Sequence, residues 1–216
     1  MKQAADPSGL DPYEDGEVRL QAQRIGMWLF LATEAMIFAG LFLAVFVIRT
    51  LYPEGATEAS GHLKLWVGAG NTAILILAST LVALSSVAAK EGAKRRSLTW
   101  AGFAGAAVLG AAFLAIKIGI EYRAEYHEGL IPGVGPAFPL QADGAQLFFN
   151  LYFAATALHA IHVAVGVLVL AGAALGVQRR WLKLPENAPE IEFCGLYWHL
   201  VDVIWIVLFP VLYLVG

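Results

Sequence analysis

A few polar side chains interrupt stretches of this sequence that are otherwise apolar, and their types and spacing bound the chemistry on offer. His159 and His162, three residues apart, would share one face of a helix as two metal ligands do, with His199 as a third from another segment. No carboxylate stands at the same depth, however, and two histidines on one helix face cannot bracket a haem from both sides. These imidazoles are therefore expected to hydrogen-bond between helices. Lys117 and Glu121 are spaced for an ion pair on one helix, its lysine stem reaching toward an interface. His199 and Asp202 also share a face, and would bond to each other or to a neighbouring helix. Glu34 has no partner within its own run from Ile25 to Ile48. It is either a neutral acid kept protonated by burial or a residue with a lipid- or proton-related role. No residue is predicted to be catalytic or to hold a metal.

The elements that position these groups follow from composition. In 216 residues, 59% are hydrophobic and 14% charged, and the mean hydropathy is +0.67, a balance that does not suit a water-exposed surface. With 14 Lys and Arg against 17 Asp and Glu and no basic stripe interleaved with aromatics, nucleic acid is excluded as a partner. The single cysteine, Cys194, can form neither an internal disulfide nor a cysteine-rich metal site. Five apolar segments, about 25–48, 65–89, 98–120, 145–177 and 193–215, each reach the ~20 residues a helix needs to cross a bilayer. The expected fold is all-α, a polytopic membrane bundle of five transmembrane helices over residues 25–216, preceded by a polar tail at residues 1–24. That tail is acidic and carries no apolar run of an export signal. Turn and charge clusters separate the spans, among them Pro53-Glu54-Gly55 and the stretch from Pro132 to Pro139.

Lys2, Arg19, Arg24, Lys90, Lys94, Arg95, Arg96, Arg179, Arg180 and Lys183 fall on the N-terminal side, against Arg49, Lys64 and Arg123 on the other. This predicts a cytoplasmic N-terminus and an outer C-terminus. Counting ~1.5 Å of rise per residue predicts two polar layers: Glu34, His199 and Asp202 toward the inner face, Asn71, Lys117 and His159 toward the outer, with His162 between them. Small residues at Gly102, Ala106 and Gly110, and at Gly172 and Gly176, predict close helix approach. Pro210 predicts a bend near the end of the last span. Trp66, Trp100, Tyr122, Trp181 and Tyr197 predict an interfacial aromatic belt.

The wording of the segments resembles a known family. Residues 24–40, RIGMWLFLATEAMIFAG, resemble the glutamate-bearing helix of subunit III of haem–copper oxidases. Residues 71–79 (NTAILILAS) are similar to the family's next helix, and 117–122 (KIGIEY) to the end of the one after. Residues 149–166, FNLYFAATALHAIHVAVG, are similar to its paired-histidine segment, and 197–210, YWHLVDVIWIVLFP, form the strongest match. The matches run in family order through nearly all of residues 24–215.

The resemblance implies an accessory subunit of a respiratory terminal oxidase, cytochrome c- or quinol-oxidising, in a bacterial cytoplasmic membrane. It would pack against catalytic subunit I and its fellow subunits. It would carry no cofactor of its own, with haem and copper in the partner, and would bind structural phospholipid while supporting proton uptake and protecting the catalytic subunit. By position, Glu34 matches the helix glutamate that faces the family's lipid cleft, and Arg179 or Arg180 the basic residues that hold a lipid phosphate, a task suited to the planar guanidinium. Asn71, Lys117, Glu121, His159, His162, His199 and Asp202 match positions read as interhelical polar contacts. Two departures stand out. Longer members have seven helices, and the match here starts at the third; the step from Lys117 to Glu121 is four residues where a shorter one is expected. Two other readings are open: the subunit III-like protein of a nitric oxide reductase system, and an independent small transporter, which mid-depth breaks or internal repeats would favour.

Overall fold

The computed structural model describes residues 16–131, 133 and 138–214; residues 1–15 of the expected tail and part of the Pro132–Pro139 stretch lie outside the described residues, whereas residues 16–24 of that tail are helical. Among the described residues there are seven α-helices, α1 (Gly16–Leu51), α2 (Pro53–Gly61), α3 (Leu65–Lys90), α4 (Arg96–Ile116), α5 (Arg123–His127), α6 (Ala145–Gln178) and α7 (Ala188–Phe209). A 3₁₀ turn, Gly92–Arg95, leads into α4; a π-helical turn, Lys117–Tyr122, joins α4 to α5; another, Pro210–Leu214, extends α7. Five continuous helical stretches among the described residues are long and apolar enough to cross a membrane. The chain is an integral membrane protein. Its helices outrun the apolar segments, because backbone hydrogen bonding continues into the interface where apolar side chains stop.

Helices α3, α4, α6 and α7 form a four-helix bundle, α4 packing on α3 and α6, and α7 closing the ring against α3 and α6. Helix α1 lies outside, over the seam between α6 and α7, and most of its surface is exposed: Trp28, Leu29, Met36, Leu43 and Phe46 face outward. Among the spans, α1 is thus the one held by the fewest protein neighbours.

Close approach inside the ring depends on two glycines of α4. A Cβ on Gly102 would sit 1.9 Å from the Ser85 hydroxyl of α3, and one on Gly110 would sit 2.6 Å from the ring of Trp198, which is itself fully buried. The other small-residue pair behaves differently. Gly172 faces open space and Gly176 meets Leu182 of the following loop, so these two open a groove instead of seating a helix.

Pro53 opens α2 and does not make the expected turn, since a missing N–H costs nothing in a first helical turn. The long third span ends at Gly129, which adopts φ +71° while Leu130 N–H bonds to Glu125 C=O and Gly129 N–H to Tyr126 C=O. This Schellman cap, with Leu130 buried behind it, fixes the position of Glu125. Helix α6 ends in the same motif, but its left-handed residue is Arg180 at φ 62°. Arg96 closes that end from α4, donating to the carbonyls of Val177 at 2.7 Å and Leu182 at 3.2 Å. Of the belt aromatics, Trp66 and Trp181 are exposed, whereas Tyr122 and Tyr197 are turned inward and spend their hydroxyls on Thr156 and the His162 carbonyl.

Candidate functional site

The polar side chains fall into three groups. The largest surrounds Lys117, which is 1% exposed and does not snorkel. Its ammonium bonds to the Glu121 carboxylate, to Tyr152 Oη at 2.9 Å and to Tyr213 Oη at 2.7 Å. Tyr213 in turn donates to Glu121 at 2.7 Å, and Tyr152 donates to Glu125 at 2.6 Å. The rings of Tyr152, Tyr213, Tyr122 and Trp205 stand 4.9–5.4 Å from Nζ, so the cation also faces aromatic π-clouds.

Two π turns build this group. At ~100° per residue an α-helix would carry Glu125 roughly 80° round from Lys117. The wider turn at Lys117–Tyr122 removes rotation, which keeps Lys117, Glu121 and Glu125 on the buried face together. The second π turn, begun at Pro210, delivers Tyr213 to the same place. Neither turn is visible as hydropathy. The four-residue step from Lys117 to Glu121 is thereby accommodated.

In the second group, His162 Nε2 lies 2.8 Å from Glu34 Oε2 across the seam between α6 and α1, and His162 Nδ1 lies 2.8 Å from the Leu158 carbonyl. A carbonyl only accepts, so Nδ1 donates, and Nε2 in a neutral ring is an acceptor. A proton must then sit between Nε2 and Glu34, on the acid or on the ring. The pair holds one shared proton in either case. His159, one turn away, is fully buried; it stacks on Trp205 at 5.0 Å, takes the edge of Phe113 at 5.8 Å, and neither ring nitrogen has a hydrogen-bond partner. Trp205 links this group to the first, since its other neighbour is the Lys117 ammonium, and its Nε1 donates to Thr72 at 3.0 Å.

In the third group, His199 Nδ1 lies 2.7 Å from Ser79 Oγ on α3. Of the two alternatives for His199, a partner on its own helix or on a neighbour, the structure takes the neighbour. Asp202 is 4% exposed, adjoins the same serine and leaves Oδ1 without a partner. Asn71 is 1% exposed, and both atoms of its amide lack partners. Glu34 thus pairs with His162 across the α1–α6 seam, whereas His199 pairs with Ser79 of α3. Lys117 and His159 share Trp205 as a neighbour.

Arg179 and Arg180 lie at the end of α6. Arg179 places its guanidinium 5.3 Å above the ring of exposed Trp181. That indole borders a groove of about 310 Å³ lined by Gly172, Ala173, Gly176, Leu182 and Cys194. A second groove, of about 420 Å³ with almost wholly apolar walls, runs between α1 and α7 beside Trp28, Leu31, Ala35 and His199.

The sequence reading missed Ser79, Arg96, Glu125, Tyr152 and Tyr213. Glu125 carried a signal, the continuation of the Lys117–Glu121 spacing by four more residues; the tyrosines carried none beyond an hydroxyl in an apolar run. Among the described residues, no group of three or more His, Cys, Asp or Glu is placed to hold a metal ion.

A family model described as cytochrome c oxidase subunit III matches residues 15–216. The chain belongs to the cytochrome c oxidase subunit III family. It is 29% identical over 191 residues to a cytochrome bo(3) ubiquinol oxidase subunit 3 of Pseudomonas aeruginosa, covering 88% of this chain and 84% of that one. It is 30% identical over 190 residues to a cytochrome c oxidase subunit 3 of Thermostichus vulcanus, covering 88% and 86%. A heme-copper oxidase subunit I+III of Aeropyrum pernix is 32% identical over 200 residues, which span 89% of this chain and 22% of that longer one. Membership of this family makes the chain an accessory subunit of a haem–copper terminal oxidase.

Proposed function

We propose that this subunit flanks catalytic subunit I, holds a phospholipid at the N-terminal face of the bundle, and helps supply protons to its partner. The observation that carries the reading is the Glu34–His162 bond, with its one shared proton at the lightly covered seam under α1. A group that accepts or releases a proton without a metal suits a subunit whose partner does the redox chemistry. Association with subunit I is supported by the I+III relative, in which both stand in one chain. Haem and copper are the partner's. The N-terminus faces the cytoplasm of a bacterial cell in this reading, as the positive charges at that end favour.

For the lipid, Arg179 offers a guanidinium stacked on an interfacial indole, and the Gly172–Gly176 face beside it leaves room for an acyl chain. Arg180 adds a second cation at the same helix end. A phosphate there would meet two positive side chains and an apolar groove in one span.

The test uses the intact oxidase. Glu34→Gln should leave assembly unchanged and slow proton uptake by the complex; an unchanged uptake rate refutes the proton role. Arg179→Ala with Arg180→Ala should strip phospholipid from the purified complex, read by mass spectrometry of the retained lipid. Full retention refutes the lipid role.

A further inference from the structure

The cluster around Lys117 is left with an unbalanced charge by its own hydrogen bonds. Tyr213 donates to Glu121 and Tyr152 to Glu125, so both phenolic oxygens face Lys117 as acceptors. Glu121 is the third partner, its carboxylate paired with the lysine ammonium, whose three N–H groups match these three oxygens. Against that single positive charge stand two carboxyl groups, on residues 1% and 5% exposed. One oxygen of each, Glu121 Oε1 and Glu125 Oε2, is buried with no partner. Were both acids ionised, the cluster would carry a net negative charge sealed from water, with two unsatisfied oxygens, a costly arrangement.

We propose that this cluster is a proton-binding site, holding one exchangeable proton on Glu125 at Oε2. Glu121 is the ionised member: one of its oxygens receives both the ammonium and the Tyr213 hydroxyl, whereas Glu125 receives a single neutral donor. The added proton brings the group of Lys117, Glu121 and Glu125 to neutrality. Tyr122, the remaining ionisable neighbour on this turn, is committed to Thr156 at 2.8 Å. Exchange with water has a short route. Three residues beyond Glu125, Glu128 is exposed at the helix end, with His62 4.0 Å from it, so the aqueous phase at the face opposite the N-terminus comes within one helical turn. A proton leaving Glu125 passes to this surface and leaves the cluster with one negative charge. The site lies apart from the Glu34–His162 pair and from Arg179, and the proposal does not rest on the lipid reading.

Infrared difference spectroscopy of the intact oxidase complex, between mildly acidic and alkaline buffer, tests it. The expected result is an un-ionised carboxylic acid band that shifts on exchange into heavy water, disappears in Glu125→Gln, and moves to higher frequency in Tyr152→Phe, where the acid loses its phenolic donor. Spectra of the native complex and Glu125→Gln that coincide in the acid carbonyl region would overturn the proposal. So would a response to replacing sodium and potassium by choline at fixed pH, which would mean a metal cation balances the charge. If Glu125→Gln fails to assemble, Tyr152→Phe decides: a native acid band that does not move in that variant overturns the assignment.

Discussion

His162 joins α6 to α1 through a single 2.8 Å contact with Glu34, while its other nitrogen is held by the carbonyl of Leu158 in its own helix. The ring is thereby fixed in one orientation, and α1 is docked on the bundle by a polar contact where apolar packing is sparse.

Loss of that contact is expected to act on docking in proportion to what remains for Nε2. Glu34→Gln keeps a donor and should leave the thermal midpoint of the complex unchanged. Glu34→Leu strands a half-buried acceptor and should cost about 1–2 kcal/mol, read as a lower midpoint and as faster proteolysis at the α1 end.

Lys117→Met should be the most damaging single change in the bundle. Removing the ammonium leaves the buried Glu121 carboxylate and two phenols without their common partner, at roughly 3–5 kcal/mol. Assembly yield in the membrane measures it. Combining Lys117→Met with Glu121→Gln should recover part of the loss, and a double-mutant cycle with no coupling would contradict the geometry.

Two glycines of similar sequence context should separate cleanly. Gly110→Ala drives a Cβ to within 2.6 Å of Trp198 and 2.7 Å of Val167, and should destabilise by about 1–3 kcal/mol. Gly172→Ala meets nothing and should be neutral or slightly stabilising, by roughly 0.5–1 kcal/mol from helix propensity. Thermal unfolding of the detergent-solubilised complex distinguishes them.

Arg180 occupies the left-handed position at the end of α6, where a side chain costs about 1–2 kcal/mol. Arg180→Gly should therefore raise the stability of this corner while removing a cation. A higher midpoint accompanied by less retained phospholipid is the expected pair of results. A fall in the midpoint would mean that Arg180 makes a structural contact of greater value than its backbone cost.

Ser79→Ala should loosen α7 from α3 by about 1 kcal/mol, since it removes the Nδ1 partner of His199 and leaves Asp202 beside an apolar methyl. Asp202→Asn should matter less, as the amide keeps the shape of the side chain.

The sequence by itself determined that the chain crosses the membrane as five helices, because apolar length is a local property that any window of residues reveals. It also marked which polar side chains interrupt the apolar runs, Glu34, His159 and Asp202 among them, and Glu34 as the one with no partner in its own run. What it could not determine was who shelters whom. Glu34 and His162 are 128 positions apart, and Ser79 and His199 120 apart, so these pairings depend on how the helices are arranged around one another. Lys117 and Glu121 were legible as a pair, yet their burial was not, because helical spacing is the same for an interfacial ion pair and an interior one. The tertiary structure decided that by turning α4 through a π segment and bringing Tyr152 and Tyr213 over from α6 and the end of α7. A widened turn exposes no change in composition; it forms where packing and buried hydrogen bonds outweigh the loss of regular helix, a balance set only once all five spans are in contact.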